Sequence, residues 1–173
     1  IKHFFNHEVL AGDENSLVPN GTSFSEVEKE LKNLIKSAKT SIDYCAYNTS
    51  VTSIVNALID ASARGVKVRV IAESDNTNSA LDNALPFNVF YDEKDALMHN
   101  KFIIVDATSE DNAHVVMGSM NFTTNQMTVD PNHLMLIQDK TLAQAYTIEF
   151  EEMWGSNTAT PNRANSKFGE AKE

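Results

Sequence analysis

Ser41–Ser74 reads SIDYCAYNTSVTSIVNALIDASARGVKVRVIAES, and its three parts decide the fold class. SIDYCAYNT reads as a strand. SVTSIVNALIDASARG reads as a helix, with Gly65 as its C-terminal stop. VKVRVIAES alternates as a strand, with Val66, Val68 and Val70 opposite Lys67 and Arg69. Strand, helix and strand joined by short connections form the βαβ pattern, which predicts parallel strands with helical cover.

Upstream, IKHFFNHEVL has a short apolar centre and is expected to be an edge strand, and AGDENSLVPNGTS is rich in turn residues and reads as a loop. Ser23 or Ser25 is the expected cap of a helix through EVEKELKNLIKSAK, where Val27, Leu31, Leu34, Ile35 and Ala38 share one apolar face. Downstream, NSALDNAL looks like a short helix, and FNVFYD and MHNKFIIVDA read as strands. ATSEDNA is an acidic turn leading into HVVMGS, a strand expected to run antiparallel to its predecessor. HLMLIQ is another strand. KTLAQAYTIEFEEMWG is a last helix with Leu142, Tyr146, Phe150 and Met153 facing inward. The expectation is one α/β domain over residues 1–155, followed by a polar tail or linker over 156–173. Its sheet is mixed, a parallel core with antiparallel strands, covered by helices on both faces.

The net charge of −10, from 14 basic and 24 acidic residues, argues against avid non-specific binding of nucleic acid, which depends on basic surface. It leaves room for a compact site for one phosphate, because local charge differs from the total. No apolar run approaches the ~20 residues that span a bilayer. The first residue is Ile1, so the chain is read as a mature form or an excised segment. Cys45 is the one cysteine and is expected to be a buried free thiol. Abundant Asn, Thr and Ser in the loops lean toward an extracytoplasmic bacterial protein.

Two pieces of sequence carry chemistry: His99-x-Lys101 followed by Asp106, and Gly118-Ser119-x-Asn121 at the end of the next strand. A neutral imidazole is a competent nucleophile near neutral pH. By strand alternation, Lys101 shares the His99 face as a positive charge for non-bridging phosphate oxygens, while Phe102 and Ile104 face the other way. Ser119 and Asn121 supply donors, and Gly118 admits close backbone approach. Positioning and charge stabilisation dominate phosphoryl transfer, so this set suits phosphodiester chemistry without a metal. Asp106 falls on the opposite face and is expected to hold the strand end or loop.

His99-x-Lys101-x(4)-Asp106 followed by Gly118-Ser119-x-Asn121 resembles the signature of the phospholipase D superfamily. AKTSIDYCAYNTS, ALIDASARGVKVRVIAES and AYTIEFEEMWG fall in the order typical of one such module. The resemblance implies a two-step reaction without metal or cofactor. One histidine attacks phosphorus to give a phosphohistidine, and a second protonates the leaving alcohol. Water or an alcohol then resolves the intermediate. It also implies two motifs per site, and this chain has one. The second module is therefore expected from a second copy of the chain or from a downstream half. The substrate is a phosphodiester, phospholipid or nucleic acid, with a lean to the lipid. A nuclease is the alternative within the family, and a non-catalytic half that completes a neighbour's site is the alternative outside it.

Two departures from the family pattern stand out. Eleven residues separate Asp106 from Gly118, where the family often has about half as many, the surplus being the acidic loop. Asn132 stands where many members place a glutamate that orients the histidine, with Asp130 as a possible substitute. His114 and His133 begin strands and are expected to be ordinary, and a zinc site built from them with His99 lacks any supporting spacing. His3 and His7 are expected to be exposed. Glu149, Glu151 and Glu152 read as a solvated helix face. Glu73, Ser74 and Asp75, like Tyr47 and Asn48, either line a pocket or form turns.

Overall fold

The computed structural model describes residues 1–20, 24–92 and 97–168. In chain order the strands are β1 (Lys2–Phe5), β2 (His7–Leu10), β3 (Asp13–Pro19), β4 (Ser41–Ala46), β5 (Lys67–Ala72), β6 (Asn88–Tyr91), β7 (Lys101–Val105), β8 (His114–Gly118) and β9 (His133–Gln138). The α-helices are α1 (Phe24–Ser37), α2 (Thr52–Ala63), α3 (Thr124–Thr128) and α4 (Lys140–Trp154).

The βαβ reading holds. β4 pairs with β5 in parallel, from Ser41 opposite Lys67 to Ala46 opposite Ala72, and α2 makes the crossover. Gly65 ends that helix at φ +88, a conformation glycine adopts without steric penalty. The seven-stranded sheet has the order β1-β9-β8-β7-β4-β5-β6. Its β4-β5-β6 part is parallel, and the pairs from β4-β7 to β1-β9 are antiparallel.

Both sheet faces are covered. On one, Val27, Leu31 and Ile35 of α1 and Ile54, Val55 and Leu58 of α2 pack with Ile42, Tyr44, Val68, Val70 and Ile103. On the other, Phe150, Met153 and Trp154 of α4 pack with Cys45, Ile71, Phe102, Ile104 and Val115. The helix faces follow the 3.6-residue period and the strands the period of two. Because both faces are dry, β4, β5 and β7 are buried almost throughout. Arg69 and Asp43 therefore lie inside the α4 layer, joined at 2.6 and 2.8 Å, with the guanidinium 4.9 Å over the Phe150 ring. Glu151 completes this cluster by accepting from Arg69, so it is not part of a purely solvated face.

Several expectations change. Most of the stretch read as a loop after Leu10 is β3, which closes a hairpin with β2 around Gly12 at φ +87. This hairpin buries little on either face, so no apolar alternation announces it. Ser25 lies in the first turn of α1 rather than before it, and Ser23 lies outside the described residues. NSALDNAL contributes only a 3-10 turn over Ser79–Leu81. The polar stretch from Ser156 to Phe168 is not loose. The carbonyls of Ser156 and Thr158 accept from Arg69, Trp154 Nε1 donates to Thr158 O, and Arg163 lies 4.2 Å over the Phe90 ring. Backbone carbonyls do this work, and side-chain polarity does not display them.

Candidate active site

Antiparallel pairing of β7 with β4 and β8 brings distant segments to one end of the sheet. The carboxyl ends of β4, β5, β6 and β8 meet there with the amino ends of β7 and β9. Open α/β sheets bind ligands beyond the carboxyl ends of their strands, where no backbone ladder continues. A cleft of about 370 Å³ opens at this end, lined by His99, Lys101, Gly118, Ser119, His133 and Tyr146 among others.

His99 precedes β7 by two residues, so strand alternation is not what relates it to Lys101. The link is direct: Lys101 Nζ donates to the His99 carbonyl at 2.7 Å and sits 5.0 Å over the Tyr47 ring. Lys101 is only 9% exposed. The backbone around His99 is held on both sides. Met98 N donates to Asp92 Oδ2 at 3.1 Å, and Tyr47 N donates to Asn100 O at 3.0 Å. The imidazole packs edge-on against Tyr47 with centroids 4.4 Å apart. Partial desolvation pushes the His99 pKa below the ordinary histidine value, and the Lys101 ammonium pushes the same way. Burial likewise lowers the Lys101 pKa. Both effects favour the neutral imidazole, the form with a lone pair for nucleophilic attack.

Gly118 pairs so closely with β9 that a Cβ there would lie 2.2 Å from His133 O. That approach sets Ser119 at the cleft, where its hydroxyl donates to Asn132 Oδ1 at 2.9 Å and lies 3.1 Å from His133 Nδ1. Asn121 stands behind this wall. Its Nδ2 reaches Gln126 Oε1 at 3.5 Å, and its buried Oδ1 has no hydrogen-bond partner among the described residues.

Of the expected site residues, His99, Lys101 and Ser119 share the cleft, and Asn121 is not among the residues that line it. Asp106 is at the far end of β7 at φ +47, accepting from Lys39 N, Thr40 N, Thr40 Oγ1, Ser41 N and Asn112 Nδ2. Asn132 bonds Ser119 and the 126–130 turn, and Asp130 takes the amides of Asn125 and Gln126; neither is bonded to His99. His114 begins β8 and so lies at the opposite end from His133. Among the described residues no three of His, Cys, Asp and Glu are grouped as metal ligands would be.

Sequence reasoning missed His133 and Tyr146 on the cleft wall and Asp92 beneath His99. A histidine at a strand start has no pattern that marks it. The one usable signal was that β9 starts at the end of the sheet where β8 finishes.

Comparison with known proteins places these features. The family model described as "Cardiolipin synthase, PLD-like domain" matches residues 31–154. A mitochondrial cardiolipin hydrolase of Xenopus tropicalis is 29% identical over 126 residues, 70% of this chain and 58% of that protein. A phospholipase D of Rickettsia felis is 30% identical over 151 residues, covering 84% of this chain and 72% of that one. The chain thus spans little more than half the length of the cardiolipin hydrolase. The crystal structure of Nuc from Salmonella typhimurium, a phospholipase D family member, superposes with a TM-score of 0.62 at 29% identity. That match covers 73% of this chain and 85% of Nuc.

Proposed function

The chain belongs to the phospholipase D-like domain family, and from that premise we propose that it is a phosphodiesterase whose nucleophile is His99. The observation that carries this is the His99 imidazole beside the buried Lys101 side chain, which is bonded to its carbonyl, in a cleft at the strand-end face of the sheet. The His99 nitrogen forms a bond to phosphorus as the bond to one ester oxygen breaks, and the departing oxygen takes a proton from an acid. Water, or another alcohol, then attacks the phosphohistidine and returns the imidazole. Lys101 and Ser119 hold the non-bridging oxygens, with Asn121 behind them. Asp106 serves as a scaffold that fixes the far end of β7. No metal or cofactor enters the scheme.

The acid is a second imidazole from a second module, either a copy of this chain or a downstream half. A pair in which one ring attacks neutral and the other donates a proton titrates as a unit. Phospholipid is the favoured substrate class. The overall charge of −10 weighs against long nucleic acid, and similar proteins carry the names cardiolipin hydrolase and phospholipase D. A nuclease of the same family is the second reading. Binding of an oligonucleotide that weakens steeply with salt would select it.

The experiment is hydrolysis of a chromogenic phosphodiester in excess EDTA, wild type beside His99→Ala, with the solution mass measured in parallel. Activity that survives chelation, disappears in His99→Ala and accompanies a dimer supports the reading. Activity abolished by EDTA, or retained in His99→Ala, contradicts it.

A further inference from the structure

We propose that Glu73 and Asp92 form a buried carboxyl pair that fixes the backbone carrying His99, and that both are positioning residues for the reaction. The inference rests on the phosphodiesterase reading of His99 and adds how that residue is held.

β5 and β6 are parallel neighbours with Ala72 opposite Tyr91, so the next residues, Glu73 and Asp92, leave the sheet side by side. They are 1% and 5% exposed. Asp92 uses both oxygens: Oδ1 accepts from Ser74 N at 2.7 Å, and Oδ2 accepts from Met98 N at 3.1 Å. One carboxylate therefore joins the turn after β5 to the residue immediately before His99. Glu73 accepts from Asp75 N at 3.2 Å through Oε1, while its buried Oε2 has no hydrogen-bond partner among the described residues. Neither carboxyl forms an ion pair among the described residues.

Two buried carboxyls side by side do not both stay ionised. Asp92 accepts from two N–H donors and Glu73 from one, so the surroundings support ionisation of Glu73 less. Burial and then the neighbouring Asp92 raise the Glu73 pKa, while the N–H groups of Asp75 and Met98 oppose the shift. Among the described residues, the titratable groups in contact with Glu73 are Asp92 after β6 and Asp75 in its own turn. Loss of the Glu73 proton places a second negative charge against Asp92 and competes for the Met98 N–H. The tether then loosens, and His99 moves out of position. A residue that only stabilised the fold would not couple its titration to the His99 ring.

The test is nuclear magnetic resonance of the His99 ring, followed from about pH 4 to pH 9 in wild type, Glu73→Gln and Asp92→Asn, with kcat and KM measured on the same samples. In wild type the ring resonance is expected to show a second inflection besides its own. Glu73→Gln, which keeps a neutral hydrogen-bonding side chain, removes that inflection. Asp92→Asn shifts the ring resonance and lowers kcat about tenfold with little change in KM. Should Asp92→Asn fail to fold, Glu73→Gln alone decides. The same two inflections in Glu73→Gln, or an unmoved ring and kcat in folded Asp92→Asn, overturn the proposal. The resonance needs no turnover, so an inactive protein with the expected resonances sinks the reading that this chain alone assembles a complete phosphodiesterase site and leaves the tether standing.

Discussion

Lys101 Nζ donates a hydrogen bond to the main-chain carbonyl of His99 at 2.7 Å, so the ammonium is located by the backbone of the residue it assists. The charge cannot drift from the imidazole without breaking that bond. Lys101→Met is expected to lower kcat by about 10²–10³ with the fold intact. Lys101→Arg is not expected to restore it, because a planar guanidinium does not fit the place of a compact ammonium buried against Tyr47. Steady-state kinetics on the two variants checks both.

The same pairing makes a titration prediction. Desolvation and Lys101 hold the His99 pKa below 6.5, so the neutral form prevails at pH 7 and the acid limb of kcat/KM lies below that value. In Lys101→Met the ring pKa rises toward 6.5, as nuclear magnetic resonance would record. Because the folded pKa is lowered, protonation of His99 opposes folding. Its effect on stability is absent above about pH 6.5 and grows as pH falls through that region. An unmoved or lower pKa in the variant would remove Lys101 as a cause.

At the other end of β7, burial works to raise the Asp106 pKa, and hydrogen bonds from Ser41, Asn112, Lys39 and Thr40 outweigh it and hold it below 3.8. Its contribution is present above the unfolded value of 3.8 and is lost as pH falls through the folded pKa. Asp106→Asn also tolerates φ +47, so the loss it reports comes from the charge and one accepting oxygen rather than from backbone strain. Denaturant unfolding is expected to show a loss of about 1–3 kcal/mol at pH 7 that shrinks toward zero in acid.

Arg69 is 1% exposed and pairs with Asp43, which is 3% exposed. Arg69→Met alone leaves a buried carboxylate unpaired and is expected to cost about 3–5 kcal/mol. The double variant Arg69→Met with Asp43→Leu is expected to recover most of that, as unfolding midpoints would show.

The parts of this molecule legible in sequence are those where burial imposes a period. The β4-α2-β5 unit, α1 and α4 stood out because each has apolar residues at the spacing its geometry requires. The motif residues were legible as a spacing, His99 to Lys101 and Gly118 to Asn121. What stayed hidden depends on backbone atoms. β3 pairs without burying a face, Ser156–Phe168 dock through carbonyls, and β7 starts after His99 rather than through it. Asp92 meets Met98 across a turn that no pattern of side chains describes. His133 faces Ser119 only because β8 and β9 pair in a register that a side-chain alternation cannot fix by itself.

The most direct test is to quench the wild-type protein in mid-turnover on a phosphodiester, in excess EDTA, and map the modified peptide by mass spectrometry. A phosphoryl adduct on His99 that forms and decays at rates consistent with kcat, and is absent from His99→Ala, is the predicted result. Turnover with no adduct on His99, or an equal rate in His99→Ala, would contradict the account.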